Sequence, residues 1–256
     1  MLDSTLRSAL LERRVTVGSW IQVGHPAVAE VLARAGFDWL GVDCEHTDIG
    51  LHEFSAIARA LHGRGPAPLA RVEKNDPLAI RRVLDMGAAG VIVPLVNSAD
   101  DAKRAVRAAK FAPEGERGFA FCRANEWGAE FDSYTGAAND RTAVIAMIET
   151  AQAVENAEEI LSVEGIDGTL IGPYDMSGSL GVPGHTEDPR VKEGGRQVVE
   201  ACRRCGKSAG IHVVLPDRER IREVVEQGFT FIAVGMDTVF LDEGAGAALQ
   251  MVRDVQ

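Results

Sequence analysis

Residues 143–172 read AVIAMIETAQAVENAEEILSVEGIDGTLIG. The first seven residues form an apolar run that ends in an acid, and the middle of the segment has helical spacing. A glycine-containing turn then leads into a second short apolar run, GTLIG. This order predicts a strand, a helix and a second strand. Because the apolar runs are continuous, the strands are expected to be covered on both faces, as in a parallel sheet.

The same alternation recurs along the whole chain. Eight such units in 256 residues are typical of one (β/α)₈ TIM barrel, so we predict a single domain over residues 1–256. A doubly wound open sheet is the alternative, but the first predicted turn, VGHPAVAE, lacks the GxGxxG pattern of that fold. Strands are predicted at residues 16–23, 37–43, 68–72, 90–96, 143–149, 168–172, 208–214 and 229–235.

Residues 111–141 do not fit the alternation. They are rich in Gly, Asn, Asp, Glu and aromatic residues, and long loops within compact domains usually carry function. We predict a long excursion between the fourth and fifth units, on the side of the strand carboxyl ends, that contributes to substrate specificity.

Composition and charge narrow the class of protein. The residues are 46% hydrophobic and 25% charged, and the formal net charge is −11. Such an acidic surface disfavours nucleic acid and anionic membranes as partners. No run approaches 18 apolar residues, and the four cysteines indicate reduced thiols. We therefore predict a cytoplasmic protein without nucleic-acid or membrane partners.

Polar residues follow four of the predicted strands. His46 comes after the second strand, Arg71 ends the third, Glu149 ends the fifth, and Asp175 follows the sixth. In a (β/α)₈ barrel the carboxyl ends of the strands meet around the active site. We therefore expect these four side chains to share one site. His212, within the seventh strand, is interpreted as a core-packing residue in preference to a pocket residue.

Each of these residues also has a structural interpretation. A histidine at a strand end can simply pack, but Asp43 and Glu45 lie beside His46 in sequence and would raise its basicity. Arg71 can be a surface ion-pair partner, although it follows the buried run PLA and so requires an anion such as a substrate carboxylate.

The two acids are expected to act together. Glu149 and Asp175 would be costly to bury unpaired, and two such carboxylates indicate a shared cation. Oxygen ligands without cysteine or histidine favour Mg²⁺, Mn²⁺ or Co²⁺ over structural zinc.

Five segments resemble the HpcH/HpaI aldolases, which are class II, metal-dependent pyruvate aldolases. The resemblance extends over residues 18–237, nearly the whole chain. It implies a carbon–carbon lyase that reversibly cleaves a 4-hydroxy-2-oxo acid into pyruvate and an aldehyde, in aromatic or sugar acid catabolism. The segments are AGFDWLGVDCEH (35–46), NDPLAIRRVLDMGAAGVIVPLV (75–96), EGERG (114–118), MIETAQAVENAEEIL (147–161) and VEGIDGTLIGPYDMSGSLG (163–181).

The resemblance also implies roles for individual residues. Glu149 and Asp175 would ligate the divalent metal, and His46 would be the acid/base group. Asp85 would raise the basicity of His46, and Arg71 would steady the carbonyl oxygen that becomes the enolate. The family further implies that the last helix is exchanged between subunits and that dimers assemble into hexamers.

Two positions depart from the family pattern. Met147 stands where many members have glutamine, and Tyr174 stands where they often have a small residue. Both are expected to contact substrate, together with Arg71 and Asp175, and to alter the choice of substrate. Two other functions stay open: a citrate-synthase-like condensing enzyme that uses oxaloacetate or an enolpyruvate unit, and a catalytically silent binding protein.

Overall fold

The computed structural model describes residues 4–256. Within them, eight parallel strands pair in chain order, and β8 closes onto β1. This confirms the predicted TIM barrel. The strands are β1 Thr16–Ile21, β2 Trp39–Asp43, β3 Ala67–Arg71, β4 Gly90–Val93, β5 Ala143–Ile148, β6 Gly168–Ile171, β7 Ser208–Val213 and β8 Phe231–Met236.

Helices surround the barrel and connect each strand to the next. A short 3₁₀ segment, Arg123–Gly128, also lies between β4 and β5. The helices are α1 Ser4–Leu11, α2 Pro26–Ala33, α3 Leu51–Leu61, α4 Pro77–Asp85, α5 Ala99–Ala109, α6 Phe131–Arg141, α7 Ala151–Glu155, α8 Ala157–Leu161, α9 Pro173–Ser179, α10 Pro189–Cys205, α11 Arg218–Glu226 and α12 Asp237–Arg253.

Each strand divides its side chains between two apolar layers. All six residues of β5 are buried. Ile145 and Met147 belong to the cluster inside the barrel, whereas Val144 and Ile148 belong to the cluster between barrel and helices. Side chains alternate along a strand, so both faces must be apolar, which explains the continuous apolar runs. Inside the barrel, Trp39 stacks on Phe231 with ring centroids 4.1 Å apart.

Helix α1 closes the floor of the barrel, at the amino ends of the strands. Leu6 and Leu10 join the interior cluster, and the Ser208 hydroxyl donates to the Leu10 carbonyl at 2.8 Å. Arg7 forms an ion pair with Asp167 at 2.9 Å. The opposite end, at the carboxyl ends of the strands, is left as an open mouth.

The predicted excursion at residues 111–141 lies at the other end of the barrel from the one we expected. It follows α5 and precedes β5, so it belongs to the floor, and its second half is helix α6. The Arg123 guanidinium donates to the carbonyls of Met86 and Ala58, near the ends of α4 and α3. The expectation of a loop beside the strand carboxyl ends is therefore wrong for this chain's own barrel.

Helix α12 leaves the barrel surface after its first turn. Asp237 is buried, but every residue from Leu241 onward is exposed. Leu241 is 61% exposed and Met251 69%. Within residues 4–256, none of the helices combines the length and apolar character needed to cross a membrane.

Candidate active site

The mouth of the barrel contains a cavity of about 320 Å³. Its wall is formed by inward-facing residues near the strand ends and by the loop that follows β6. Residues of this wall that bear on the chemistry are Trp20, Arg71, Met147, Tyr174, Asp175 and His212.

Arg71 and Asp43 form the central ion pair of the mouth. They are paired partners in the β2–β3 register, and both point into the barrel because they alternate with Val42 and Ala70 of the outer layer. Arg71 Nε and Nη2 donate to the two Asp43 oxygens at 2.9 and 2.6 Å. Burial alone would raise the pKa of Asp43, but the hydrogen bonds and charge of Arg71 hold it below its usual value. The anion that compensates Arg71 is therefore Asp43, and not a substrate carboxylate as expected.

This arrangement leaves part of Arg71 available. Its Nη1 makes no hydrogen bond to any residue of the described chain, and its guanidinium lies 4.8 Å from the centre of the Trp20 ring. Bidentate pairing to one carboxylate fixes the plane of the guanidinium. Arg71 is thus held rigidly with one nitrogen free to donate into the cavity.

Asp43 also positions the turn that carries His46. One Asp43 oxygen accepts hydrogen bonds from the backbone N–H groups of Glu45 and His46, each at 3.1 Å. The His46 ring is 60% exposed, and its Nε2 lies 3.5 Å from the Glu45 carboxylate. Glu45, rather than Asp43, is therefore the acid beside the imidazole.

Glu149 lies just beyond β5 and is only 4% exposed. The Leu95 amide donates to its Oε1 at 2.6 Å, and Leu95 holds an unusual φ of 52° to do so. Burial raises the pKa of Glu149, and the nearby Glu45 and Asp175 carboxylates add to the rise. A non-glycine residue with positive φ at such a place indicates strain retained at a functional site.

Glu149 and Asp175 face a common space beside Gly172. A side chain at Gly172 would bring its Cβ within 3.0 Å of Glu149 Oε2 and 3.8 Å of Asp175 Oδ2. The glycine therefore keeps open the volume that both carboxylates approach. In residues 4–256 no three Asp, Glu, His or Cys side chains converge as a complete metal cage. Two carboxylates plus water or substrate oxygens are the ligands that Mg²⁺ accepts, so these residues fit a divalent cation.

Excess negative charge extends to Glu45. Burial raises the pKa of this carboxyl group, and the charges of Asp43 and Asp175 oppose its ionisation further. Its Oε2 is buried yet makes no hydrogen bond to the described residues. Arg71 Nε and His46 Nε2 each lie 3.5 Å from this oxygen, and the charge of Arg71 partly offsets the rise in the pKa of Glu45.

Asp85 is not near His46 of the same chain. Helix α4 starts at the mouth and ends at the floor, and Asp85 is its last residue. There it pairs with Arg117 at 2.8 Å. The expected effect of Asp85 on His46 is therefore wrong within one chain, because α4 carries it about 13 Å away from the mouth.

Met147 and Tyr174 both line the cavity. Met147 is a buried, inward-facing residue of β5, whereas Tyr174 is 60% exposed at the start of α9. The sequence analysis did not assign four other residues to the mouth, and it interpreted His212, which is one of them, as a core-packing residue. They are Trp20, Gln22, Leu95 and His212. Side chains alternate along a strand, so counting the inward-facing positions up to the strand ends would have indicated Trp20, Gln22 and His212.

Comparisons with known proteins identify the family of this chain. The family model described as HpcH/HpaI aldolase/citrate lyase matches residues 16–242. A 4-hydroxy-2-oxo-heptane-1,7-dioate aldolase of Escherichia coli is 36% identical over 248 residues, which cover 96% of this chain and 94% of that protein.

Two solved structures show the same architecture. A family protein from Burkholderia cenocepacia J2315 superposes with a TM-score of 0.93 and 33% identity, covering 98% of this chain and 100% of the other. Citrate synthase SbnG superposes with a TM-score of 0.85 and 28% identity, covering 98% of each chain. The chain therefore belongs to the HpcH/HpaI aldolase/citrate lyase family.

Proposed function

We propose that this aldolase-type lyase reversibly cleaves a 4-hydroxy-2-oxo acid into pyruvate, or a related 2-oxo acid, and an aldehyde. The observation that carries the proposal is the shared space of Glu149 and Asp175 beside Gly172, in a mouth that also holds the free nitrogen of Arg71. The family and the name of the Escherichia coli relative support the same reaction class.

The residues present account for the main demands of this reaction. When the C3–C4 bond breaks, its electron pair passes to the 2-oxo acid fragment and negative charge develops on the 2-oxo oxygen. Arg71 Nη1 is proposed to donate to that oxygen, and its pairing with Asp43, which fixes the orientation of the guanidinium, supports this role. A preorganised donor of this kind stabilises the charge without reorganisation.

His46 is the proposed proton acceptor. The C4 hydroxyl must lose its proton as the aldehyde forms, and the exposed His46 Nε2, beside Glu45, can take it directly or through a water molecule. The amides of Tyr174 and Asp175 make no hydrogen bonds within the described chain, and they are proposed to hold the carboxylate of the 2-oxo acid.

A divalent cation, Mg²⁺, Mn²⁺ or Co²⁺, would be held by Glu149 and Asp175 and would polarise the oxygens of the 2-oxo acid as a Lewis acid. Glu149 is already oriented by Leu95, so its second oxygen is left for the cation. The described residues that line the cavity include no lysine, so they offer no amine for a Schiff base.

The test is pyruvate release from a panel of 4-hydroxy-2-oxo acids, first in chelator and then with each metal restored. We expect no release in chelator and recovery with at least one metal. The Glu149→Gln variant should lose more than a hundredfold in kcat/KM, whereas Glu159→Gln, an exposed acid on α8, should match the wild type.

Release that persists in chelator would overturn the proposed mechanism. Consumption of oxaloacetate that depends on an acyl donor, without any pyruvate release, would instead favour the condensing function that the likeness to citrate synthase SbnG leaves as a second candidate.

We also propose that the protein is a homo-oligomer, a trimer of dimers in which α12 is exchanged between subunits. It would act in the cytoplasm, in the catabolism of sugar acids or aromatic compounds. The exposed apolar residues of α12, such as Leu241 and Met251, support a partner for that helix. Asp85 could then act only on a His46 from another copy, because its own His46 lies at the opposite end of the barrel. A molar mass of a single chain in solution, measured by light scattering, would contradict the proposed oligomer.

A further inference from the structure

His212 occupies a wall of the mouth that the proposed mechanism does not use. It is the last inward-facing residue of β7, because Ala209 and Val213 belong to the outer apolar layer. Its ring lies 6.1 Å from that of Trp20. The neighbouring wall residues Val214 and Met236 are uncharged. This wall, on β1, β7 and β8, is therefore neutral, unlike the acidic wall opposite.

The protonation of the His212 ring follows from its one hydrogen bond. Nε2 lies 2.9 Å from the Gly235 carbonyl oxygen. A carbonyl can only accept, so Nε2 carries the proton and Nδ1 has a free lone pair. Burial and the nearby Arg71 charge lower the pKa of His212 to about 4. The imidazole is thus neutral at physiological pH, with Nδ1 as an acceptor.

No donor from the described chain reaches this acceptor. Nδ1 makes no hydrogen bond to residues 4–256, and it is not among the polar atoms that are fully enclosed without a partner. It therefore keeps surface accessible to a ligand. A neutral acceptor in an otherwise apolar wall binds a hydroxyl group well, but it has no affinity for a carboxylate.

The charges of the cavity exclude one ligand class. Arg71 is the one cationic side chain in the wall formed by the described residues, and it is already paired with Asp43. A second carboxylate, at the far end of a substrate, would find no free cation here. A hydroxyl group can instead donate a hydrogen bond to His212 Nδ1.

We propose that His212 Nδ1 accepts a hydrogen bond from a hydroxyl on the aldehyde fragment, so that the enzyme prefers short, uncharged hydroxyaldehydes to alkyl aldehydes of the same size. This inference rests on the proposed aldolase function and names the class of its second substrate. His212 is then a specificity residue that contacts the acceptor and takes no part in breaking the C3–C4 bond.

The test compares two isosteric acceptors, glycolaldehyde and propanal, in condensation with pyruvate. We expect the wild type to favour glycolaldehyde about tenfold in kcat/KM, the size of one hydrogen bond. His212→Phe keeps a ring beside Trp20 but has no acceptor, so the ratio should fall to about one. His212→Asn places an oxygen near the Nδ1 position and should restore much of the preference.

The ratio separates recognition from folding. A purely structural role for His212 would lower both rates equally and leave the ratio unchanged, which would overturn the inference, as would a wild-type ratio near one. His52→Leu, on the exposed face of α3, is the matched control and should keep the wild-type ratio. Should the Phe variant fail to fold, His212→Leu carries the same test.

Failure of the proposed function has its own signature. Exchange of the pyruvate methyl protons with deuterated water, followed by NMR, needs no aldehyde. A wild-type enzyme without metal-dependent exchange would contradict the aldolase function itself. Exchange accompanied by no preference for glycolaldehyde would contradict only the role of His212.

Discussion

The two ends of the barrel each hold a buried arginine–carboxylate pair. At the mouth, Arg71 pairs with Asp43 at 2.6 Å, and at the floor, Arg7 pairs with Asp167 at 2.9 Å. In both pairs the carboxylate is almost fully enclosed, with 0% and 1% of its side chain exposed. The mouth pair is bidentate, whereas at the floor Arg7 Nε donates to Asp167 Oδ1 and Arg7 Nη1 donates to the Asp140 carbonyl.

The two pairs differ in the sign of the charged groups around them and in whether hydrogen bonds satisfy those groups. At the floor, the extra cation is Lys110, whose ammonium donates to the carbonyls of Asn139 and Thr142. At the mouth, the extra groups are the acids Glu45, Glu149 and Asp175. The charges of Glu45 and Asp175 add to the rise in the pKa of Glu149, and the charge of Asp175 adds to the rise in the pKa of Glu45. The floor cation is satisfied by backbone carbonyls, whereas the described residues of the mouth carry more carboxylates than cations. This excess of negative charge, together with the bidentate ion pair, distinguishes the site.

The largest effect is expected at the mouth. Arg71→Lys should lower kcat/KM for pyruvate release about a thousandfold, because an ammonium group cannot bridge both Asp43 oxygens and still donate to the substrate. Steady-state kinetics with the best substrate measure this loss, and Arg81→Lys on exposed α4 serves as the control.

The same variant tests whether charge alone is sufficient. If Arg71→Lys stayed within tenfold of the wild type, the free Nη1 would have no special role and any cation at this position would serve. The bidentate pairing with Asp43 would then be merely structural, as the ion pair at the floor is.

At the floor, the expected effect is on stability. Asp167→Asn leaves Arg7 and Lys110 without their carboxylate, which should lower the free energy of unfolding by about 3 kcal/mol. Urea denaturation at matched protein concentration measures it, with the exposed Asp132→Asn as control. The kcat/KM of the folded variant should equal that of the wild type, and a large loss of kcat/KM would contradict the separation of the two ends.

Local patterns were sufficient for the barrel because each strand is apolar on both faces, as β5 is. Strand ends are set by distant groups and were less accurate. The first strand was predicted to reach Val23, but β1 ends at Ile21. The Asp237 carboxylate instead accepts hydrogen bonds from the amide N–H groups of Gln22 and Val23. No local sequence pattern reveals a partner 214 residues away.

Many residues of the site could be predicted from the sequence, but the contacts between them could not. Arg71 and Asp43 could each be assigned to a strand end, yet their pairing depends on the β2–β3 register. Leu95 carries no sequence signal, because its role lies in a backbone conformation. Asp85 was taken from resemblance, and the direction of α4 places it at the floor.

His212 provides the smallest and most specific contrast, since it is a half-buried group at the mouth that stays neutral. Its folded pKa of about 4 lies below the unfolded value of about 6.5, so the unfolded chain binds its proton first as pH falls. The stability that neutral His212 contributes is complete above pH 6.5 and decreases toward pH 4. Between pH 7.5 and pH 5 this linkage amounts to about 2 kcal/mol. His212→Phe removes it, so the unfolding free energy of the variant should fall about 2 kcal/mol less over that interval. Parallel curves from urea denaturation would show instead that the imidazole titrates in the folded protein as it does in the unfolded chain, and that its Nδ1 is not a reliable acceptor at acidic pH.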